Sequence, residues 1–126
     1  MIGLLSSSAI YAYCAPRDMR KGYDSLGALV IEELRRDPLS GDLFLFVARN
    51  RIRAKILHFD GTGMCLLAKR LEKGRFACLW RGQIGTELGL SRAELALFLE
   101  GSQLIGKKRL SPMKLCKKDL AISPSV

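Results

Sequence analysis

The chain has 126 residues, enough for one domain to bury a core without metal or disulfide support. Hydrophobic residues supply 48% and charged residues 26%, which excludes extended disorder for most of its length. Against 12 Asp and Glu stand 21 Lys and Arg, a net charge of +9 that points to a polyanionic partner, nucleic acid first.

The N-terminal stretch MIGLLSSSAIYAYCAP has no basic start and is interrupted by three serines, which argues against a signal peptide. No apolar run reaches the ~20 residues of a membrane-spanning helix, so a cytoplasmic protein without a membrane partner is expected. Cys14, Cys65, Cys78 and Cys116 are widely spaced and form no Cys-x-x-Cys pair. Free thiols in a reducing compartment, with no metal and no cofactor, are the expectation.

SAIYAYC at 8–14 reads as a strand stopped by Ala15-Pro16. From Asp18, the recurrence of Met19, Tyr23, Leu26, Val30 and Leu34 lines one face of a helix that Asp18 would cap. Arg35 and Arg36 suit its last turn, and Asp37-Pro38 ends it. LFLFVA at 43–48, IRAKILHF at 52–59 and MCLLAKRL at 64–71 follow as strands, joined through hairpin turns at RNR and DGTG. EKGR turns into a fourth strand, FACLW at 76–80, and RGQIGTELGL reads as a linker. Ser91 and Glu94 then form a capping box, Leu90 and Leu95 supply its hydrophobic staple, and Gly101 closes the helix. The expected fold class is α+β: an antiparallel β meander of four or five strands with an N-terminal helix packed on it and a short C-terminal helix. A single domain spans 1–104, and a basic, loosely ordered tail spans 105–126.

The charge is concentrated in the meander. Between Arg49 and Arg81 nine basic residues face only Asp60 and Glu72. Strand alternation puts Arg53 and Lys55 on one face and Ile52, Ala54 and Ile56 on the other. Arg49 and Arg51 flank one hairpin tip; Lys69, Arg70, Lys73 and Arg75 surround a later turn. These side chains suit contacts to a phosphate backbone, which are salt-dependent and insensitive to sequence. Cations at strand edges also serve simply to block aggregation. Arg17, Arg20 and Lys21 cluster where the helix begins, an end whose dipole favours anions. A bound phosphate there, or pairing with Asp18 and Asp24, would accommodate them.

Catalytic chemistry has little to build on. His58 is the single histidine, so neither Ser-His-Asp nor Cys-His machinery assembles readily. Asp18, Asp24 and Asp60 are better explained as a cap and turn residues than as a metal triad. DGTG sits between strands and lacks the helix and lysine of a phosphate loop. Phe44, Phe46, Phe59, Phe76 and Trp80 lie among aliphatic residues and are assigned to the core.

DMRKGYDSLGALV at 18–30, the run DPLSGDLFLFVARNRIRAKILHFDGTGMCLLAKRLEKGRF at 37–76 and LALFLEG at 95–101 together resemble one family. It is that of the TnpB-like small accessory proteins, second-reading-frame products of the insertion-sequence family numbered sixty-six. That family is distinct from the RNA-guided nuclease sharing the name. The resemblance implies a non-enzymatic transposition accessory protein working beside a separate transposase that carries the catalytic acids. Its expected partners are DNA, at transposon ends, and that transposase. Arg20, Lys21, Arg49, Arg51, Arg53, Lys55, Lys69, Arg70, Lys73 and Arg75 are the candidate nucleic-acid-binding residues. The competing expectation is a protein-interaction module that organises the transposase without contacting DNA. ACLW stands where the family commonly has Trp-Pro after GRF, and His58-Phe59 and Leu67-Ala68 replace aromatic positions around the middle turn.

Overall fold

The computed structural model describes residues 8–18, 20–80, 85–102, 104–105 and 108–109. Met19, Arg81, Cys116 and most of the tail lie outside the described residues. Strand β1 (Ile10–Pro16) leads into helix α1 (Tyr23–Glu32), followed by β2 (Leu43–Val47), β3 (Arg53–Phe59) and β4 (Met64–Arg70). After an irregular segment come β5 (Glu87–Leu90), α2 (Arg92–Leu99), and the short pair β6 (Leu104–Ile105) and β7 (Lys108–Arg109). Strands β1 to β5 form one sheet in the order β4-β3-β2-β1-β5, while β6 and β7 pair by themselves.

The α+β class holds, with three corrections. The sheet is mixed: β1 runs parallel to β2, with Ile10 beside Leu43 and Ala12 beside Leu45. Helix α1 lies between them in sequence and returns the chain to the starting end, as a parallel pair requires. The helix therefore follows the first strand, and only β2-β3-β4 form an antiparallel meander. FACLW is not a strand. A turn at 72–75, with Gly74 at φ 73°, carries the chain off β4 and across a sheet face, where Phe76, Ala77, Cys78 and Leu79 are buried. The expected linker contains β5, an edge strand antiparallel to β1 with Leu90 opposite Ile10 and Leu88 opposite Ala12.

Strand alternation divides the core between two faces. Tyr13, Phe44, Phe46 and Leu57 point to one side and pack with Leu26, Val30 and Leu34. Ile10, Leu43, Leu45, Val47 and Ile56 point to the other and pack with Phe76, Leu79, Leu95 and Phe98. Phe76 and Phe98 stack with centroids 5.1 Å apart, joining the irregular segment to α2. The capping box forms as expected: the Glu94 N–H donates to Ser91 Oγ at 3.0 Å, and the Ser91 N–H donates to Glu94 Oε1 at 2.8 Å.

Helix α1 begins later than its periodicity suggests. Its N-cap is Gly22, no side chain caps it, and Tyr23 is half exposed rather than in the core. Arg35 and Arg36 fall beyond its last turn. Arg35 takes a left-handed conformation at φ 57°. Arg36 forms a fork with Glu87 at 2.9 and 2.6 Å and lies over the Tyr11 ring at 3.7 Å, fastening β5 to the helix exit. This pairing holds the Glu87 carboxyl below its ordinary pKa. Cys14 and Cys65 are free thiols, and burial raises Cys14 to about 11, with Glu87 adding to the shift. His58 is buried in β3, with no hydrogen-bond partner for either ring nitrogen among the described residues.

Candidate nucleic-acid interface

Register places the candidate cations. Because β1 and β2 are parallel and β3 and β4 alternate against them, the C-terminal ends of β1, β2 and β4 and the start of β3 share one end of the sheet. Segments 17–22, 48–52 and 71–75 all emerge there. They bring Arg20, Lys21, Arg49, Arg51, Lys73 and Arg75 to the same end as Arg53, Lys55, Lys69 and Arg70 of the strands. Asp18 and Glu72 are the acids within those three segments. Asp60 occupies the β3–β4 turn at the opposite end, so Asp18, Asp24 and Asp60 do not converge. Asp60 has the expected turn role: Oδ1 accepts from the Thr62 and Gly63 N–H groups, each at 3.0 Å. Those bonds hold its carboxyl down at about 2.

The cations are not equivalent. Asp18 is not a cap, because Arg20 takes its carboxylate in a fork, with Nε at 3.1 Å from both oxygens and Nη2 at 2.8 Å from Oδ2. The Arg20 N–H also donates to Asp18 Oδ1 at 2.9 Å, closing a tight local turn. Lys55 does not stand free on an open face: it is half-buried, and its Nζ donates to the Lys21 carbonyl at 2.8 Å, pinning the entry to α1. Arg51, at φ 62°, donates from Nη1 to the Phe76 carbonyl at 3.3 Å and holds the irregular segment. Arg70 reaches Glu72 at 3.5 Å, with both side chains largely exposed. Arg49, Arg53 and Lys73 are exposed.

A shallow cleft of about 520 Å³ opens between the 17–20 segment and the β2–β3 hairpin, lined by Arg17, Asp18, Arg20, Ala48, Arg49, Asn50 and Arg53. Arg17 belongs to this cleft although it lies outside the ten candidates. Its guanidinium sits 5.0 Å over the Tyr13 ring and donates to the Tyr13 hydroxyl at 3.0 Å. The Tyr13-x-x-x-Arg17 spacing was the available signal, but it is meaningful only once β1 is known to run to Pro16. A second depression, of about 250 Å³, lies along Arg53, Lys55, Lys69 and Arg70. Arg53 and Arg70 are directly opposite in the β3–β4 ladder, a like-charge pair that costs stability unless an anion intervenes.

The Asp18–Arg20 fork lowers the Asp18 pKa from 3.8 to about 2. A depressed carboxyl pKa means that the pairing is complete above pH ~4 and is lost as pH falls through the folded value. Carbon-detected NMR titration should place the Asp18 midpoint near 2 and, in Arg20→Ala, return it toward 3.8. An unchanged midpoint in the variant would rule out the fork as the cause.

Three comparisons bear on this arrangement. A family model described as IS66 Orf2 like protein matches residues 8–109. Uncharacterized protein y4hO of Sinorhizobium fredii (strain NBRC 101917 / NGR234) is 42% identical over 84 residues, covering 67% of this chain and 71% of that one. Uncharacterized protein y4jC of the same strain is 41% identical over 76 residues, covering 60% and 65%. No solved structure matches. Among the described residues, no helix is long and apolar enough to cross a membrane.

Proposed function

The chain belongs to the IS66 Orf2-like family, and on that premise we propose that it is a non-enzymatic accessory protein of insertion-sequence transposition that engages DNA phosphates through the basic end of its sheet. The observation that carries this reading is topological. The β1-α1-β2 crossover and the β2-β3-β4 meander deliver three basic segments to one end, next to a cleft lined by Arg17, Arg20, Arg49 and Arg53. Cations so grouped act on a polyanion together, and contacts of this kind position a backbone without reading its bases. The transposase of the same element is the second partner.

One set of contacts favours a variant reading. Arg20, Lys55 and Arg51 each spend hydrogen bonds within the fold, on Asp18, the Lys21 carbonyl and the Phe76 carbonyl. A smaller set of available cations suits an acidic patch on the transposase as well as it suits DNA. The full chain should therefore be titrated against transposon-end duplex and unrelated duplex across a salt series, with and without transposase. DNA engagement predicts that log K falls linearly with log salt, by about 0.9 per phosphate neutralised. A flat salt response, with a transposase complex that survives nuclease treatment, would transfer the basic end to the protein partner.

A further inference from the structure

Strand β4 closes one side of the sheet. It is seven residues long, without proline, and pairs with β3 in unbroken register from Met64 to Arg70. Two bonds just beyond its ends fix the ladder's phase: the Asp60 N–H to the Gly63 carbonyl at 3.0 Å, and the Leu71 N–H to the Ile52 carbonyl at 2.8 Å. Antiparallel pairs alternate between hydrogen-bonded and non-hydrogen-bonded. Cys65, Leu67 and Lys69 therefore bond inward to β3, and Met64, Leu66, Ala68 and Arg70 turn their backbone N–H and C=O groups outward. Such a row is a template for another strand.

We propose that the outward edge of β4 pairs antiparallel with β4 of a second copy about a two-fold axis at Leu67, joining the two sheets into one. In that register Leu66 bonds to Ala68 of the second copy and Met64 to Arg70, so every outward group finds a partner. Leu67, 46% exposed, meets its own counterpart across the axis. Charge complementarity selects this register and this occupant. Lys69 of the second copy falls opposite Cys65, whose thiol donates to Asp60 Oδ2 at 3.4 Å. The Thr62 and Gly63 bonds engage Oδ1, which leaves Oδ2 placed to receive the incoming ammonium. A parallel arrangement would instead stack Arg70 on Arg70 and leave Asp60 unmatched. The two-fold places the two basic ends at opposite ends of the seam, where they do not repel.

Sedimentation equilibrium of the full chain, over a concentration series into the high micromolar range, tests the pairing. The wild-type mass should reach twice 14.0 kDa. Ala68→Pro removes only an outward N–H, a position where an edge strand tolerates proline, and should sediment at 14.0 kDa with unchanged circular dichroism. If that variant misfolds, Leu67→Lys decides, because it places two cations face to face on the axis without touching the core. Asp60→Asn keeps the turn oxygen and should weaken the dimer severalfold. A wild-type chain that stays monomeric throughout, or a folded Leu67→Lys variant that remains dimeric, overturns the proposal.

Discussion

Replacing Arg49, Arg53 and Lys73 together by glutamate is expected to lower DNA affinity by about two to three orders of magnitude at ~0.1 M salt and to flatten the salt slope by about 0.9 per lost contact. The three were chosen because they are exposed and lie on three separate parts of the basic end: the β2–β3 turn, the start of β3 and the turn after β4. The variant also carries its own control against unfolding. Arg53 faces Arg70 directly across the ladder, so Arg53→Glu replaces a like-charge pair with an opposite-charge one, a change of about 0.2–1 kcal/mol in favour of the fold. Lost binding with a retained or raised melting temperature therefore locates the effect at the interface. Lys55 is left in place, since its bond to the Lys21 carbonyl holds the approach to α1. Full affinity in the triple variant at low salt would remove the basic end of the sheet as the surface that engages DNA.

What the sequence disclosed follows the range of the interactions involved. Helix α2 was legible because Ser91 and Glu94 satisfy each other within one turn. The buried face of α1 was legible at Leu26 and Val30, with Leu34 packing beside them just past the helix end, whereas its start was not. Asp18 has two local uses, a cap or a partner for Arg20, and spacing does not distinguish them. FACLW reads as a strand because an apolar run is buried equally well lying across a sheet as pairing within it. ELGL reads as linker because its central Gly89 interrupts the alternation, while its partners in β1 lie far away in sequence. The candidate cations were all legible as charges. Their convergence was not, because it depends on the parallel crossover. Nor was the tethering of Lys55 and Arg51, whose acceptors are backbone carbonyls that no side-chain pattern reveals.

The largest expected effect on stability lies on the other side of the sheet. Phe98→Ala should cost about 3–5 kcal/mol in urea unfolding, the range for truncating a fully buried aromatic side chain. Phe98 is completely buried and stacked on Phe76 at 5.1 Å, with ring planes 9° apart. The cavity would open between α2 and the 76–79 segment, and the ring–ring contribution of about 0.5–1.5 kcal/mol would be lost with it. Domains of this size are stable by only about 5–15 kcal/mol, so the variant should stand near the edge of folding at room temperature. Leu97→Ala, one residue away but half exposed, should shift the midpoint little and exclude a general helix effect. The comparison bears on function because the same segment is tied to the basic end. The Phe76 N–H donates to the Arg51 carbonyl at 2.7 Å, and Arg51 Nη1 returns a bond to the Phe76 carbonyl. Loosening Phe76 should therefore free the β2–β3 hairpin, and amide exchange around Asn50 and Arg51 should rise in Phe98→Ala even under conditions where the variant remains folded. A cost below about 1 kcal/mol would mean that α2 is not a structural part of the sheet's second face.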